Sequence, residues 1–165
     1  MDNKLHRKDA IGALLDEYQR AINDLVSVLE TISDAELVIV FDPDAADDNC
    51  RSVQTILSHV VHSGFGYATS IHNLKGPMQV RPARTFHNTI KEYINDISAI
   101  VPYTEKILAA YNDDELEQPN YDTLNIKSGW GVTYTIEQMM EHAIVHILRH
   151  RRQIEKIKRL HFDMK

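Results

Sequence analysis

Four long stretches of this chain carry apolar residues at spacings of three and four, the period that aligns side chains along one face of an α-helix. The first runs from about Asp9 to Ser33 through Ile11, Leu14, Leu15, Tyr18, Ile22, Leu25, Leu29 and Ile32. From Ser52, the positions Val53, Ile56, Leu57, Val60, Val61, Ala68 and Ile71 mark a second, which ends before the stop signal Gly76-Pro77. A third follows Ile90, Tyr93, Ile94, Ile97, Ile100, Val101, Ile107, Leu108 and Tyr111, and Pro102 within it predicts a kink or a split. The fourth runs from Ile136 through Met139, Met140, Ala143, Ile144, Ile147 and Ile154 to Ile157, opened by Thr135-Ile-Glu-Gln138, which has the form of a capping box. Such a pattern predicts an all-α protein, a four-helix bundle formed by residues 1–165 as one domain.

The connections are less regular. Ser33-Asp-Ala-Glu36 is a second capping box, predicting a short helical turn before the acidic loop Phe41–Asn49. The connection between the third and fourth helices holds Pro119, Gly129 and Gly131 and the short β-prone pieces Tyr121–Ile126 and Trp130–Tyr134, so a small hairpin is expected before the last helix. Both connections are too long for minimal turns, and periodicity leaves the order of helices around the bundle open.

Charge and cysteine content narrow the function. Eighteen basic against 24 acidic residues give a net charge of −6, which argues against a nucleic-acid binder, since that role needs a basic face. The longest apolar run, Leu37 to Phe41, is far short of the roughly 18 residues of a membrane span, so no membrane partner and a cytoplasmic location are expected. One cysteine, Cys50, excludes a thiolate cage, and any metal site must be built from His and carboxylates.

Histidine is abundant, with nine residues in 165. His142, His146 and His150 recur every four positions on the fourth helix, and His59 and His62 stand three apart on the second. Residues four apart lie one turn above each other and can aim two imidazoles at one point. At about 100° per residue, His150 lies about 60° from the centre of the apolar stripe, His146 about 100° and His142 about 140°. His146 and His150 thus flank the core, while His142 faces outward. On the second helix His59 lies about 60° outside the apolar arc and His62 about 120° outside it. A site in the groove between two helices needs imidazoles at such margins; solvated edge residues are the competing reading.

The stretch Ile56-Leu-Ser-His59, followed by His146-Ile-Leu-Arg-His150-Arg-Arg-Gln153-Ile154, resembles the DinB/YfiT-like superfamily of metal-dependent enzymes, whose motifs take the form I-L-x-H and H-x-x-x-H-R-x-Q-I. The resemblance implies a helical bundle that holds a divalent ion with His59, His146 and His150. Gln153 matches the family's Gln, although Arg152 stands where a glycine commonly precedes it. It also implies thiol S-transfer with a low-molecular-weight thiol such as bacillithiol or mycothiol, or hydrolysis.

A three-imidazole site leaves open coordination positions and can ionise a water or a thiol. Zinc or nickel is the expected ion, with iron and manganese also accepted. His62 and His142 are spare imidazoles for a surrounding shell or proton transfer, although solvated surface positions fit both. Glu141 and the acids of Asp42–Asp48 are candidate bases. Tyr67 and Trp130 are candidate pocket residues, and Arg149, Arg151 and Arg152 form a basic cluster suited to a carboxylate. The expected partner is a small-molecule substrate, with a homodimer compatible with the bundle. The alternative class is a non-catalytic helical binding or oligomerisation module without metal.

Overall fold

The structure, a computed structural model, describes residues 7–117 and 124–163. Helices α1 (Asp9–Leu29), α2 (Asp34–Leu37), α3 (Val53–His72), α4 (Ile90–Leu108) and α5 (Ile136–Ile157) account for most of it. The four long ones are the four periodic stretches, and the predicted caps are present. Ser33 and Glu36 close a capping box on α2, and Thr135 and Gln138 close another on α5. At α3 the box is made by Ser52 and Thr55.

Helix α1 packs on α4 and α5, and α3 packs on the same two helices. Consecutive helices α1 and α3 therefore stand across a diagonal, as do α4 and α5. That arrangement explains both long connections, because each must cross an end of the bundle. The shared interior is apolar, with Ile22, Leu25, Ile56, Val60, Ile97, Ile147 and Ile154 at 1% exposure or less.

Two expectations change. Helix α4 runs unbroken from Ile90 to Leu108 with Pro102 inside it, so the predicted split is absent. Proline removes the N–H that would reach the Ser98 carbonyl, but Ser98 and Pro102 both lie on the exposed face, where water can take that acceptor. The expected hairpin is a ladder of two residues per strand, β1 (Ile126–Lys127) and β2 (Thr133–Tyr134), with Ile126 opposite Tyr134. Gly131, at φ +86°, closes the turn between them and donates its N–H to the Ser128 carbonyl at 3.1 Å. Of the β-prone piece Tyr121–Ile126, residues 121–123 lie outside the described residues. After α5 a π-helical turn, Lys158–Phe162, ends the chain's helical course. No helix among the described residues is long and apolar enough to cross a membrane.

Candidate metal centre

The capping boxes at Ser52 and Thr135 fix where α3 and α5 begin, and hence which side chains face the groove between them. His59 sits in the second turn of α3 between fully buried Ile56 and Val60. His146 and His150 sit on successive turns of α5, beside buried Ile147 and Ile154. All three imidazoles lie at the edge of the apolar core, with His150 buried and the other two half-buried.

Their Nε2 atoms converge. That of His59 lies 2.9 Å from that of His146, which lies 3.2 Å from that of His150. The Oε1 of Gln153 is 2.9 Å from Nδ1 of His150, so the proton sits on Nδ1 and is donated to Gln153, leaving an Nε2 lone pair facing the cluster. A neutral imidazole nitrogen offers one proton or one lone pair. His146 Nε2 can therefore make a straight hydrogen bond to only one neighbour, whereas a cation among the three satisfies every lone pair. Tetrahedral zinc, with nitrogens at about 2.0–2.1 Å, spaces its ligands about 3.3 Å apart, slightly wider than these contacts. The donor set fits a divalent ion, and among the described residues these three form the one group of His, Cys, Asp or Glu close enough to hold it.

The electrostatics keep the cluster neutral. Burial, then the neighbouring His150 and Arg84, push His59 down to about 4. Burial and the two adjacent imidazoles lower His146 further. Burial lowers His150 too, with the Gln153 hydrogen bond opposing it. Neutral imidazole is the form that ligates metal.

The triad opens to a cavity of about 750 Å³ lined also by Asp47, Cys50, Tyr67, Trp130, His142, Arg149, Arg152, Gln153 and Lys156. A model of the DinB family matches residues 1–160. The chain belongs to the DinB family. No curated protein matches it.

In this DinB chain the remaining candidates divide. His142 is not a solvated outward residue. Its ring stacks on Trp130 at 5.3 Å and meets Tyr67 edge-on at 5.3 Å, because the hairpin before α5 folds back over that face of the helix. Tyr67 also contacts His146 edge-on at 5.6 Å, and burial pushes its hydroxyl up to about 12. His62 is not part of the three-imidazole group, and its Nδ1 lies 3.1 Å from the Pro82 carbonyl. Arg149 and Arg152 reach the cavity, but Arg151 turns away to Asp24 at 2.6 Å. Glu141 lines a separate groove with Val132, Gln138 and Val145 and does not line the triad's cavity, so it is not placed to act as a base there. Of the Asp42–Asp48 acids, Asp47 alone lines this cavity.

The other described histidines have local roles. His72 approaches the Pro77 carbonyl at 3.2 Å, His87 pairs with Asp96 at 2.7 Å and His161 stacks on Phe41; His6 lies outside the described residues. Sequence reading missed Cys50 as a cavity residue. It also missed Arg81 and Arg84, which line a second cavity on the other side of His59. Neither arginine belongs to a periodic element, so no spacing pointed to them.

Proposed function

We propose that this chain is a metal-dependent enzyme that uses a divalent ion, zinc or nickel first and iron or manganese as alternatives, held by His59, His146 and His150. The convergence of three neutral imidazole nitrogens, one oriented by Gln153, carries the reading. An ion held there would act as a Lewis acid that ionises a thiol or water at neutral pH. The reaction class that fits is transfer of a low-molecular-weight thiol to an electrophile, or hydrolysis. Tyr67, Trp130 and His142 provide an aromatic wall against which a small substrate packs, and Arg149 and Arg152 place positive charge at the rim. Asp47 is the carboxylate at that cavity available to accept a proton.

Elemental analysis of protein purified without a His tag tests the reading. About one divalent ion per chain is expected, with loss of the ion in a His146→Ala/His150→Ala double variant. Full occupancy in the double variant overturns it. A screen of the metal-loaded protein with several thiols and electrophiles then separates thiol transfer from hydrolysis.

A further inference from the structure

We propose that the cavity on the α3 side of the imidazole triad binds the acid group, carboxylate or phosphate, of a small anionic substrate. The proposal rests on the reading of the triad as the reacting centre and adds the substrate's charge class. This cavity has a volume of about 670 Å³ and shares His59, Tyr67 and Trp130 with the one already described, so an occupant lies against His59 of the triad. Arg81, Arg84 and Lys127 line it, and no Asp or Glu does. In a chain with 24 acidic residues and a net charge of −6, a wall that gathers cations and excludes carboxylates is a local inversion of the composition.

Arg84 is the fixed element. It is half-buried, and its guanidinium donates from Nε to Ser58 Oγ at 2.9 Å, from Nη1 to Asn49 Oδ1 at 2.6 Å and from Nη2 to the Thr55 carbonyl at 2.9 Å. It also lies over the Phe86 ring at 4.9 Å. Every one of those partners is neutral. Arg7, Arg20, Arg51 and Arg151 all pair with carboxylates, whereas Arg84 has no counter-charge among the described residues. A guanidinium carries five N–H groups, so each terminal nitrogen keeps one N–H that can be donated to an oxyanion.

Arg81 is the second arm. Its Nη1 and Cδ stand 3.2 Å from where a side chain on Gly66 would begin, so the absence of a Cβ in α3 makes room for it across the cavity wall. It makes no protein hydrogen bond or ion pair among the described residues. The opposite cavity also carries cations, Arg149, Arg152 and Lys156, but Asp47 partly offsets them. Lys156 lies in the last turn of α5, where a cation complements the helix dipole without any ligand.

Isothermal titration with succinate and, separately, with inorganic phosphate tests the subsite. Wild type, Arg81→Gln, Arg84→Lys and Arg152→Gln are compared, each with and without zinc. Saturable binding of at least one probe is expected, about tenfold weaker in Arg81→Gln and in Arg84→Lys and less affected in Arg152→Gln, whose charge belongs to the neighbouring cavity. The tighter probe identifies the acid group. Arg81 is exposed and unbonded, so its variant reports on the subsite even if altering Arg84 disturbs the loop. Absence of saturable binding, binding that survives Arg81→Gln, or binding lost only in Arg152→Gln overturns the proposal. So does binding that needs zinc and ignores Arg81. Zinc uptake measured on the same samples separates the two readings: anion binding by protein that takes up no zinc when zinc is supplied overturns the metal reading alone, and zinc uptake without anion binding overturns the subsite alone.

Discussion

Two polar clusters sit on this bundle, and they treat charge in opposite ways. Where α1 begins beside α4, Arg7, Asp16, Glu105 and Asp113 all have partners. Arg7 pairs with Asp16 at 2.6 Å and Glu105 at 3.0 Å, and the Asp113 carboxylate accepts from the N–H groups of Ala10 and Ile11 at 2.9 and 3.1 Å. In the groove between α3 and α5, three imidazole nitrogens face one another, and Arg81, Arg84, Lys127, Arg149, Arg152 and Lys156 flank them without an ion pair among the described residues. A cluster that stabilises a fold satisfies itself, whereas a cluster that binds a ligand keeps hydrogen-bonding and charge capacity in reserve. The groove is thus a place where the fold is less stable than it could be.

Acid is the strongest way to expose that difference. Unfolded, the histidines take up protons near pH 6.5; folded, burial and their neighbours hold His59 near 4 and lower His146 and His150 as well. Between those limits the unfolded chain binds more protons than the folded one. The contribution of these groups is therefore complete above about pH 6.5 and is lost as the pH falls towards 4. His62 and His142, also lowered by burial, act in the same direction. Thermal melts of the metal-free protein should show Tm dropping through that window, and a His59→Gln/His146→Gln variant should flatten the slope. An unchanged slope in the variant would place the acid sensitivity elsewhere, in the paired cluster.

An intermediate effect is expected from the paired cluster itself. Asp16 is 7% exposed and accepts from both the backbone N–H and the guanidinium of Arg7. Asp16→Ala leaves those donors unmet and should lower unfolding stability by about 1–3 kcal/mol in urea, with zinc content unchanged. A variant that kept its stability but lost zinc would reverse the roles assigned to the two clusters.

What the sequence made legible follows the same division. The helices, their caps at Ser33 and Thr135, and the convergence of His59, His146 and His150 all come from spacing within regular elements, where the helical period fixes direction. His142 shows where that stops. Its phase on α5 does turn it away from the core, yet Trp130 from the preceding hairpin folds onto it, and one helix's period carries no information about a loop that returns over it. Arg81 and Arg84 lie between α3 and α4 in a segment with no period. Asp113 caps α1 from more than a hundred residues away, while Lys8, at the position before the helix, offers no side-chain cap. Side chains whose partners are distant in sequence and carried on irregular backbone are invisible to patterning.

The smallest expected effect lies where the two halves meet. Tyr18, on α1, is 1% exposed, and its hydroxyl has no hydrogen-bond partner among the described residues, unlike Tyr93, which donates to the Gln54 carbonyl, and Tyr111, which donates to that of Ile71. Burial raises its pKa, with a further push from Tyr67 of the cavity wall. A buried donor without an acceptor opposes folding, so Tyr18→Phe should leave stability unchanged or raise it by about 1 kcal/mol in a urea melt. Zinc content should not move, because the ring keeps its packing and only the hydroxyl goes. A loss of stability would mean the hydroxyl is satisfied through the groove, by water or by the substrate's own polar group. The boundary between the sealed and the open half would then lie one layer deeper, at α1 instead of at Tyr67.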